Sequence, residues 1–326
     1  MYFGIQDEHI YNNEILVILE HHDKLNNILL FDFVNSKHFD SFLDIVKLEA
    51  ENVGDTSMIL VSNFTTSKRI QQGIYYNINT PLIKQFLLGA EEFPNSDIIF
   101  LKIDLEKQDL REFLITTKVS SEYISENLES IGNIDNLKLN SLLPIDGYLG
   151  KKQLIIRCVG QGSWNEFIYE KEVKAVYDIG TSYLCDKQTV KSLMSMRDLD
   201  YQKSKPVILL SHWDVDHYHL LLQAEDDTIS AIKCFVYRSK IPNRTSEKLI
   251  NRFMRLNPQA LCSIKEEVSP NGKTSDELKK IFEQKKGFFL FNGSKNRDRN
   301  KSGILLVYRG LKQVVIFGAD FYYDQI

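Results

Sequence analysis

The feature that most constrains the fold is an apolar segment that runs directly into a cluster of histidines and aspartates. Residues 206–211 read Pro-Val-Ile-Leu-Leu-Ser, and His-Trp-Asp-Val-Asp-His follows at once. A short, continuous apolar run is typical of a buried strand. Where such a strand opens into a loop, side chains can converge on a common point. The pattern therefore predicts a mixed α/β domain with a polar site at the end of this strand.

Four side chains of this loop are candidate metal ligands: His212, Asp214, Asp216 and His217. Imidazole and carboxylate groups together suit a divalent metal such as zinc, manganese or iron. Three of the seven histidines, including His219, lie within eight residues of one another. The alternative is a polar loop whose histidines are close by coincidence. His219 is a further candidate ligand, but its spacing from His217 favours a side chain that points away.

The loop resembles the HxHxDH motif of the metallo-β-lactamase superfamily, with Asp214 at the position of the second histidine. Three further segments agree in order with a branch that includes the hydrolase domain of the competence DNA-uptake channel protein. Residues 160–162 are similar to its Gly-Gln-Gly, residues 178–180 to its Asp-x-Gly, and residues 317–320 to the late strand ending in a metal-bridging aspartate. Residues 300–302 resemble the Asn-x-Ser that replaces the third histidine of the family there.

The resemblance covers residues 151–326 and implies an αββα sandwich. We predict this hydrolase domain over 146–326 and a separate N-terminal α+β domain over 1–145, with the boundary near Pro144, Gly147 and Gly150. Periodicity predicts these strands: 14–19, 27–34, 58–62, 97–103, 153–159, 175–180, 206–211, 288–291, 303–308 and 313–317. It predicts these helices: 38–51, 81–92, 120–131 and 188–199.

The resemblance also implies roles for the site residues. His212 and Asp214 would bind one metal, Asp216 and His217 a second, and Asp320 would bridge them. Asp216 would orient the water that attacks the substrate, which makes it the candidate catalytic residue. The cofactor is expected to be one or two zinc or manganese ions.

Asp214 adds a hard anionic ligand where the family has histidine, which favours manganese or magnesium over zinc. The resemblance also implies that Asp178 supports residues 212–217, the metal loop, without binding the metal itself.

Two departures from the family leave alternatives open. No histidine follows His219, so the third-motif and C-terminal histidines of the family are missing, and the sequence stops six residues after Asp320. The first expectation is a metal-dependent hydrolase, with or without the C-terminal strand and helix of the family. The second is a degenerate, non-catalytic member that acts as a binding or regulatory protein. The third is a hydrolase whose natural product continues further.

Charge distribution bears on the substrate. Residues 231–312 contain 19 Lys and Arg against 7 Asp and Glu, so this segment carries +12 in a chain whose net charge is −4. A basic segment in an acidic protein favours an anionic ligand, such as nucleic acid or a phosphorylated small molecule. Arg297, Arg299 and Asn300 are the candidate substrate-binding residues. The alternatives are a solvated helix face over 276–286 and an exposed loop over 292–300.

Several partners and compartments are disfavoured by the sequence. The N-terminus shows no basic secretory leader, and no apolar run approaches the roughly 18 residues of a membrane span. The four cysteines form no CxxC pair, which favours reduced thiols in a cytoplasmic protein. We therefore expect a cytoplasmic protein without a membrane partner, in which residues 1–145 are the candidate module for a protein partner.

Overall fold

A computed structural model of the 326-residue chain shows a mixed α/β protein with three β-sheets, one of them curled into a half-barrel. It describes residues 14–48, 58–66, 70–92, 99–110, 113–116, 143, 152–160, 162–182, 185, 187–195, 200–265, 278–284, 287–293, 303–310, 313–318 and 320. The chain forms two compact units, residues 1–121 with 243–245, and residues 122–242 with 246–326. The predicted boundary near residue 145 lies outside the described residues.

The first unit is built on one seven-stranded sheet with the order β5-β6-β3-β2-β1-β4-β7. Its strands are β1 (Glu14–Asp23), β2 (Ile28–Phe33), β3 (Met58–Ser62), β4 (Tyr75–Asn79), β5 (Leu87–Glu92), β6 (Ile99–Asp104) and β7 (Leu114–Thr116). Its helices are α1 (Ser36–Val46) and α2 (Thr80–Phe86). The pairing of β3 with β6 is parallel, and the other named pairs are antiparallel.

Helix α1 covers one face of this sheet. It begins after Asn35, whose side chain accepts a hydrogen bond from the His38 N–H, and it ends at Lys47 in a left-handed conformation. Such a side-chain acceptor satisfies one of the free N–H groups of the first helical turn. Phe39 and Phe42 lie on the buried face, and their rings pack 5.2 Å and 5.3 Å from that of Phe33. These contacts fix the helix on β2.

The helix predicted over 81–92 is wrong in its second half. Helix α2 ends at Phe86, and β5 begins at Leu87 and pairs antiparallel with β6. Gly89 is a poor helix former, so the local preference for helix is weak there. Pairing with β6 satisfies the same backbone groups through contacts distant in sequence, which periodicity does not report. The helix predicted over 120–131 lies outside the described residues.

The second unit contains a six-stranded and a four-stranded sheet. The six-stranded sheet has the order β13-β12-β11-β10-β9-β8, from β8 (Lys152–Ile156), β9 (Trp164–Tyr169), β10 (Glu172–Ile179), β11 (Val207–Leu209), β12 (Cys234–Arg238) and β13 (Leu261–Ile264). The four-stranded sheet runs β14 (Leu278–Glu283), β15 (Gly287–Gly293), β16 (Ile304–Arg309) and β17 (Val314–Phe317). The helices are α3 (Lys187–Ser195), α4 (Tyr201–Ser204), α5 (His219–Gln223), α6 (Asp226–Ala231) and α7 (Arg244–Leu256).

The two sheets of this unit share one apolar core. Phe167 of β9 packs edge-on against Phe288 of β15 and Phe317 of β17, at ring distances of 4.9 Å and 5.1 Å. A helix packs on the opposite face of the six-stranded sheet, where Phe235 of β12 stacks on Phe253 of α7 at a ring distance of 4.7 Å. Strands buried on both faces explain why β11 and β12 read as continuous apolar runs.

One alternative offered for the basic segment is wrong. Residues 278–283 form β14, paired with β15, rather than part of a solvated helix. The strands predicted over 303–308 and 313–317 are present as β16 and β17, which pair antiparallel. Within the described ranges, no helix combines the length and apolarity needed to cross a bilayer.

Candidate metal centre

Parallel pairing of β10 with β11 brings the two ends of the site together. Ala175 pairs with Val207 and Tyr177 with Leu209, so the chain leaves both strands at the same edge of the sheet. Residues 178–180 lie at the end of β10, and residues 211–217 follow β11. Side chains at the carboxyl ends of neighbouring parallel strands meet at this edge, which is a common position for a binding site in α/β sheets.

Three predicted ligands form a compact group of donor atoms. One ligand atom from each of His212, His217 and Asp320 lies within 4.8 Å of the other two. The Nε2 atoms of both histidines are 3.7 Å from Asp320 Oδ2. Both histidines are 3% exposed, whereas the side chain of Asp320 is 45% exposed. The group is thus buried on the histidine side and open at the aspartate.

The other two predicted ligands surround this group. Asp214 Oδ2 lies 3.4 Å from His212 Nε2, and Asp216 Oδ1 lies 3.9 Å from His217 Nε2. Asp214 and Asp216 are therefore each adjacent to one histidine, whereas among the described residues His212, His217 and Asp320 are the three whose ligand atoms all lie within 4.8 Å of one another. This donor set suits a borderline or hard divalent ion.

The far sides of both imidazoles are fixed by Ser211 and Asp178. Ser211 Oγ donates to Asp178 Oδ2 at 2.9 Å and lies 2.9 Å from His212 Nδ1, while His217 Nδ1 lies 2.9 Å from Asp178 Oδ2. Because the hydroxyl has given its only proton to Asp178, it can only accept from His212 Nδ1–H. The carboxylate likewise accepts from His217 Nδ1–H.

In its neutral form each histidine therefore carries its proton on Nδ1, which leaves the Nε2 lone pair facing the centre. His212 Nε2 is buried and makes no hydrogen bond of normal geometry within the described residues. A buried nitrogen lone pair without such a partner, beside carboxylates, fits a bound cation. The residues present therefore fit a divalent metal.

Two glycines allow the metal loop to approach β10. A Cβ on Gly180 would lie 1.7 Å from the Asp216 carbonyl oxygen, and one on Gly162 would lie 2.8 Å from it. Gly162 also has a φ of +136°, which side chains rarely adopt. Any larger residue would push Asp216 and His217 away from the site.

A β-bulge turns Asp178 toward the loop. The register between β10 and β9 shifts between Tyr177 and Ile179, and Asp178 adopts a φ of 57°. Aspartate is among the few residues that tolerate this left-handed conformation. The fully buried carboxylate then accepts the Ser211 N–H at 2.7 Å as well as the two bonds described above.

The electrostatics of the group reflect an excess of carboxylates. Burial and the adjacent His217 lower the pKa of His212, but Asp214 and Asp320 outweigh them and raise it to about 9. The pKa of His217 is also held well above its ordinary value, because nearby carboxylates outweigh burial. The two histidines hold the pKa of Asp320 well below its usual range. Protons thus supply the positive charge that a metal ion would replace.

The group opens into a pocket of about 500 Å³. Asp216, His217 and Asp320 form one wall, and burial raises the pKa of the Asp216 carboxyl. The remaining lining residues come from the loop before β9, from β9 and β10, and from the end of β17: Gly162, Ser163, Asn165, Tyr177, Ile316, Phe317 and Gly318. A small ligand can therefore reach the side of the group where Asp216 lies.

His219, the further candidate ligand, lies away from the donor group, as do the two aromatic residues Trp213 and Tyr218. His219 Nδ1 is 3.1 Å from the Ser182 carbonyl oxygen, to which it can donate. Trp213 and Tyr218 are buried and pack edge-on against each other at 5.5 Å. These aromatic residues belong to the core beneath the loop rather than to the pocket wall.

The predicted substrate-binding residues Arg297, Arg299 and Asn300 lie outside the described residues. The residues on either side of their segment are described. The Gly293 N–H donates to the Gly303 carbonyl at 2.9 Å. The Ile304 N–H then donates at 2.7 Å to the carbonyl of Ser211, the residue before His212. The segment that carries these residues therefore starts and finishes beside the metal loop.

Sequence reasoning missed Ser211 and the close approach at the glycines. Ser211 is the last residue before His212, and a hydroxyl directly behind a histidine pair is a usable signal for a supporting group. Ser163 and Asn165 of the pocket were also missed, since no local pattern separates them from ordinary residues near the start of a strand.

No protein-family model and no curated protein matches this sequence. The resemblance to the metallo-β-lactamase superfamily therefore rests on the motif residues alone.

Proposed function

We propose that this chain is a metal-dependent hydrolase of a phosphodiester, either nucleic acid or a nucleotide, with a metallo-β-lactamase-type domain in its second half. One observation carries the proposal. The Nε2 atoms of His212 and His217 converge on Asp320 while both Nδ1 atoms are hydrogen-bonded behind them. A merely structural histidine pair has no need of a shared, partly exposed carboxylate on its open side.

The chemistry follows from the donor set. A divalent ion held by these residues would make water a better nucleophile near neutral pH and would offset negative charge on the reacting group. Asp216 lies at the pocket wall with a 21% exposed side chain and a raised pKa, so it can orient a water and exchange a proton with it. His212, Asp214, His217 and Asp320 supply the remaining ligands.

Two features favour a phosphodiester over other esters. The basic segment 231–312 carries +12, and its part between Gly293 and Gly303 begins and ends beside the metal loop. An anionic substrate would be attracted by both the segment and a bound cation.

The layers of the second unit support the finer fold assignment. Helices pack on one face of the six-stranded sheet, and the four-stranded sheet packs on the other. This arrangement supplies three of the four layers of an αββα sandwich. The candidate site lies at the end of β10 and β11, and this position supports the proposal.

The alternative is a degenerate member that keeps the fold and acts as a binding or regulatory protein. The absence of any histidine after His219 favours it. The intact support by Ser211 and Asp178 opposes it, because an inactive loop gains nothing from holding two imidazoles in one tautomer.

The test is the metal content of the purified protein by elemental mass spectrometry, before and after incubation with manganese and zinc. We expect one or two equivalents, lost in His217→Ala and Asp216→Ala. The matched control is His219→Ala, which removes a buried histidine outside the group and should keep the metal. Hydrolysis of bis(p-nitrophenyl) phosphate should follow the metal. Protein that takes up neither ion would refute the hydrolase, and metal without hydrolysis of any ester would favour the binding protein.

A further inference from the structure

The pocket beside the metal group has a polar wall that the proposed hydrolysis does not use. Ser163 directly precedes β9 and Asn165 is its second residue, and both line the pocket with Asp216, His217 and Asp320. Asn165 is only 8% exposed, and it is one of the residues that line the pocket.

The orientation of the Asn165 amide is fixed by its neighbours. Its Nδ2 lies 3.0 Å from Ser163 Oγ and 3.4 Å from the backbone carbonyl oxygen of Tyr177. A carbonyl can only accept, so the nitrogen and not the oxygen of the amide must face Tyr177. No described residue hydrogen-bonds to Asn165 Oδ1, and this oxygen is therefore an acceptor left for a ligand in the pocket.

The Ser163 hydroxyl supplies the complementary group. Its oxygen accepts from Asn165 Nδ2, and within the described residues nothing accepts its proton. The side chain is partly exposed at the pocket wall. A donor and an acceptor thus stand side by side, and neither is charged.

The position of this pair relative to the metal group is set by the backbone. The Ser163 N–H donates to the Asp216 carbonyl at 3.4 Å, and the Gly180 N–H donates to the Ser163 carbonyl at 2.8 Å. Gly162 is pressed against the same Asp216 carbonyl. A group bound by Ser163 and Asn165 is therefore held at a constant distance from the atoms that would act on the ester.

We propose that Ser163 and Asn165 form a specificity subsite for a cyclic amide or imide edge, such as that of uracil, thymine or guanine. In these rings the N–H and the C=O point the same way, so Ser163 can donate to the carbonyl while Asn165 Oδ1 accepts from the N–H. In a trans peptide the two groups point in opposite directions, which does not suit a pair on one wall. Ile316, 48% exposed, offers apolar surface to the ring.

The nucleotide character of the substrate rests on the proposed function, but the hydrogen-bonding pair does not. The experiment therefore measures binding rather than turnover. Uridine 5′-monophosphate and its 3-methyl derivative differ at one N–H, and the protein is unchanged between them. Their dissociation constants would be measured by calorimetry with the full chain, metal-free and after manganese loading.

We expect the 3-methyl derivative to bind about tenfold more weakly, which is the effect of one lost hydrogen bond at an otherwise satisfied site. Ser163→Ala should weaken uridine 5′-monophosphate by a similar factor. Asn165→Ala should remove the preference between the two nucleotides, and circular dichroism would show whether this variant is folded.

Equal affinity for both nucleotides, or no binding of either by folded, metal-loaded protein, would overturn the subsite. Protein that hydrolyses diesters without this preference would overturn the subsite alone. Protein that shows the preference but neither binds metal nor hydrolyses a diester would overturn the proposed function alone.

Discussion

Replacing Asp178 with asparagine tests whether the support behind the histidines governs metal binding. Asn has nearly the same shape and tolerates the left-handed φ of 57° at this position, so the backbone should be unaffected. The Ser211 N–H can only donate, so the one remaining oxygen must stay opposite it. The new NH2 group then faces His217 Nδ1, where the carboxylate oxygen stood at 2.9 Å.

This reversal should move a proton on the imidazole. An NH2 group donates, so His217 Nδ1 must become the acceptor and the proton must lie on Nε2, the nitrogen 3.7 Å from Asp320 Oδ2. A protonated Nε2 cannot bind a cation. Loss of a supporting partner of a ligand histidine usually lowers metal affinity by about 10-fold to 100-fold. We expect a loss of metal affinity of about 100-fold, or about 2.7 kcal/mol of binding free energy, because the substitution moves the proton to the metal-facing nitrogen instead of only removing a hydrogen-bond partner.

The assay is competition between the protein and a chelator for manganese and for zinc at pH 7.5. The matched control is Asp226→Asn, which removes an exposed carboxylate paired with Arg252 outside the site and should leave the affinity unchanged. Nitrogen-15 shifts of the imidazoles would report the tautomer directly. Wild-type affinity in Asp178→Asn, or a proton that stays on His217 Nδ1, would refute the reasoning.

Three further predictions concern the loop, its metal and the first unit. Gly180→Ala should destabilise the protein by about 3 kcal/mol or more and abolish metal binding, because its Cβ would lie 1.7 Å from the Asp216 carbonyl oxygen; Gly160→Ala, with open space around it, should cost only about 1 kcal/mol in urea unfolding. Asp214→His should shift the preference in metal titrations from manganese toward zinc, and an unchanged preference would contradict the role of Asp214. Burial raises the pKa of Asp32 to about 6 from 3.8, so the native state binds this proton more tightly and stability falls as pH rises from about 4 to about 6. Asp32→Asn should remove that loss, so the difference in unfolding free energy between variant and wild type should change by about 3 kcal/mol between pH 4 and pH 7.5. Amide hydrogen exchange in β2 would measure this difference, and a difference that does not vary with pH would contradict the prediction.

The sequence predicted which candidate ligands come together, namely His212, His217 and Asp320, better than it predicted the residues that place them. His212 to His217 are close in the chain, and imidazole and carboxylate groups can act as metal ligands in any fold. The roles of Gly162 and Gly180 depend on how near another segment passes, and that distance is a tertiary property. The same limit explains β5, where pairing with β6 overrode a helical pattern. Local patterns report local preferences, whereas long-range contacts decide between them.

The charge of the donor set connects the number of ions to the substrate. Two neutral histidines and three carboxylates, from Asp214, Asp216 and Asp320, carry −3. One divalent ion leaves the group at −1, which repels a phosphodiester of charge −1, whereas two ions leave it at +1 and attract the same anion. Diester binding should therefore appear only at metal concentrations that fill a second position. Titrating bis(p-nitrophenyl) phosphate at fixed stoichiometries of manganese would show this, and tight diester binding at one equivalent would mean that the +12 segment supplies the attraction instead.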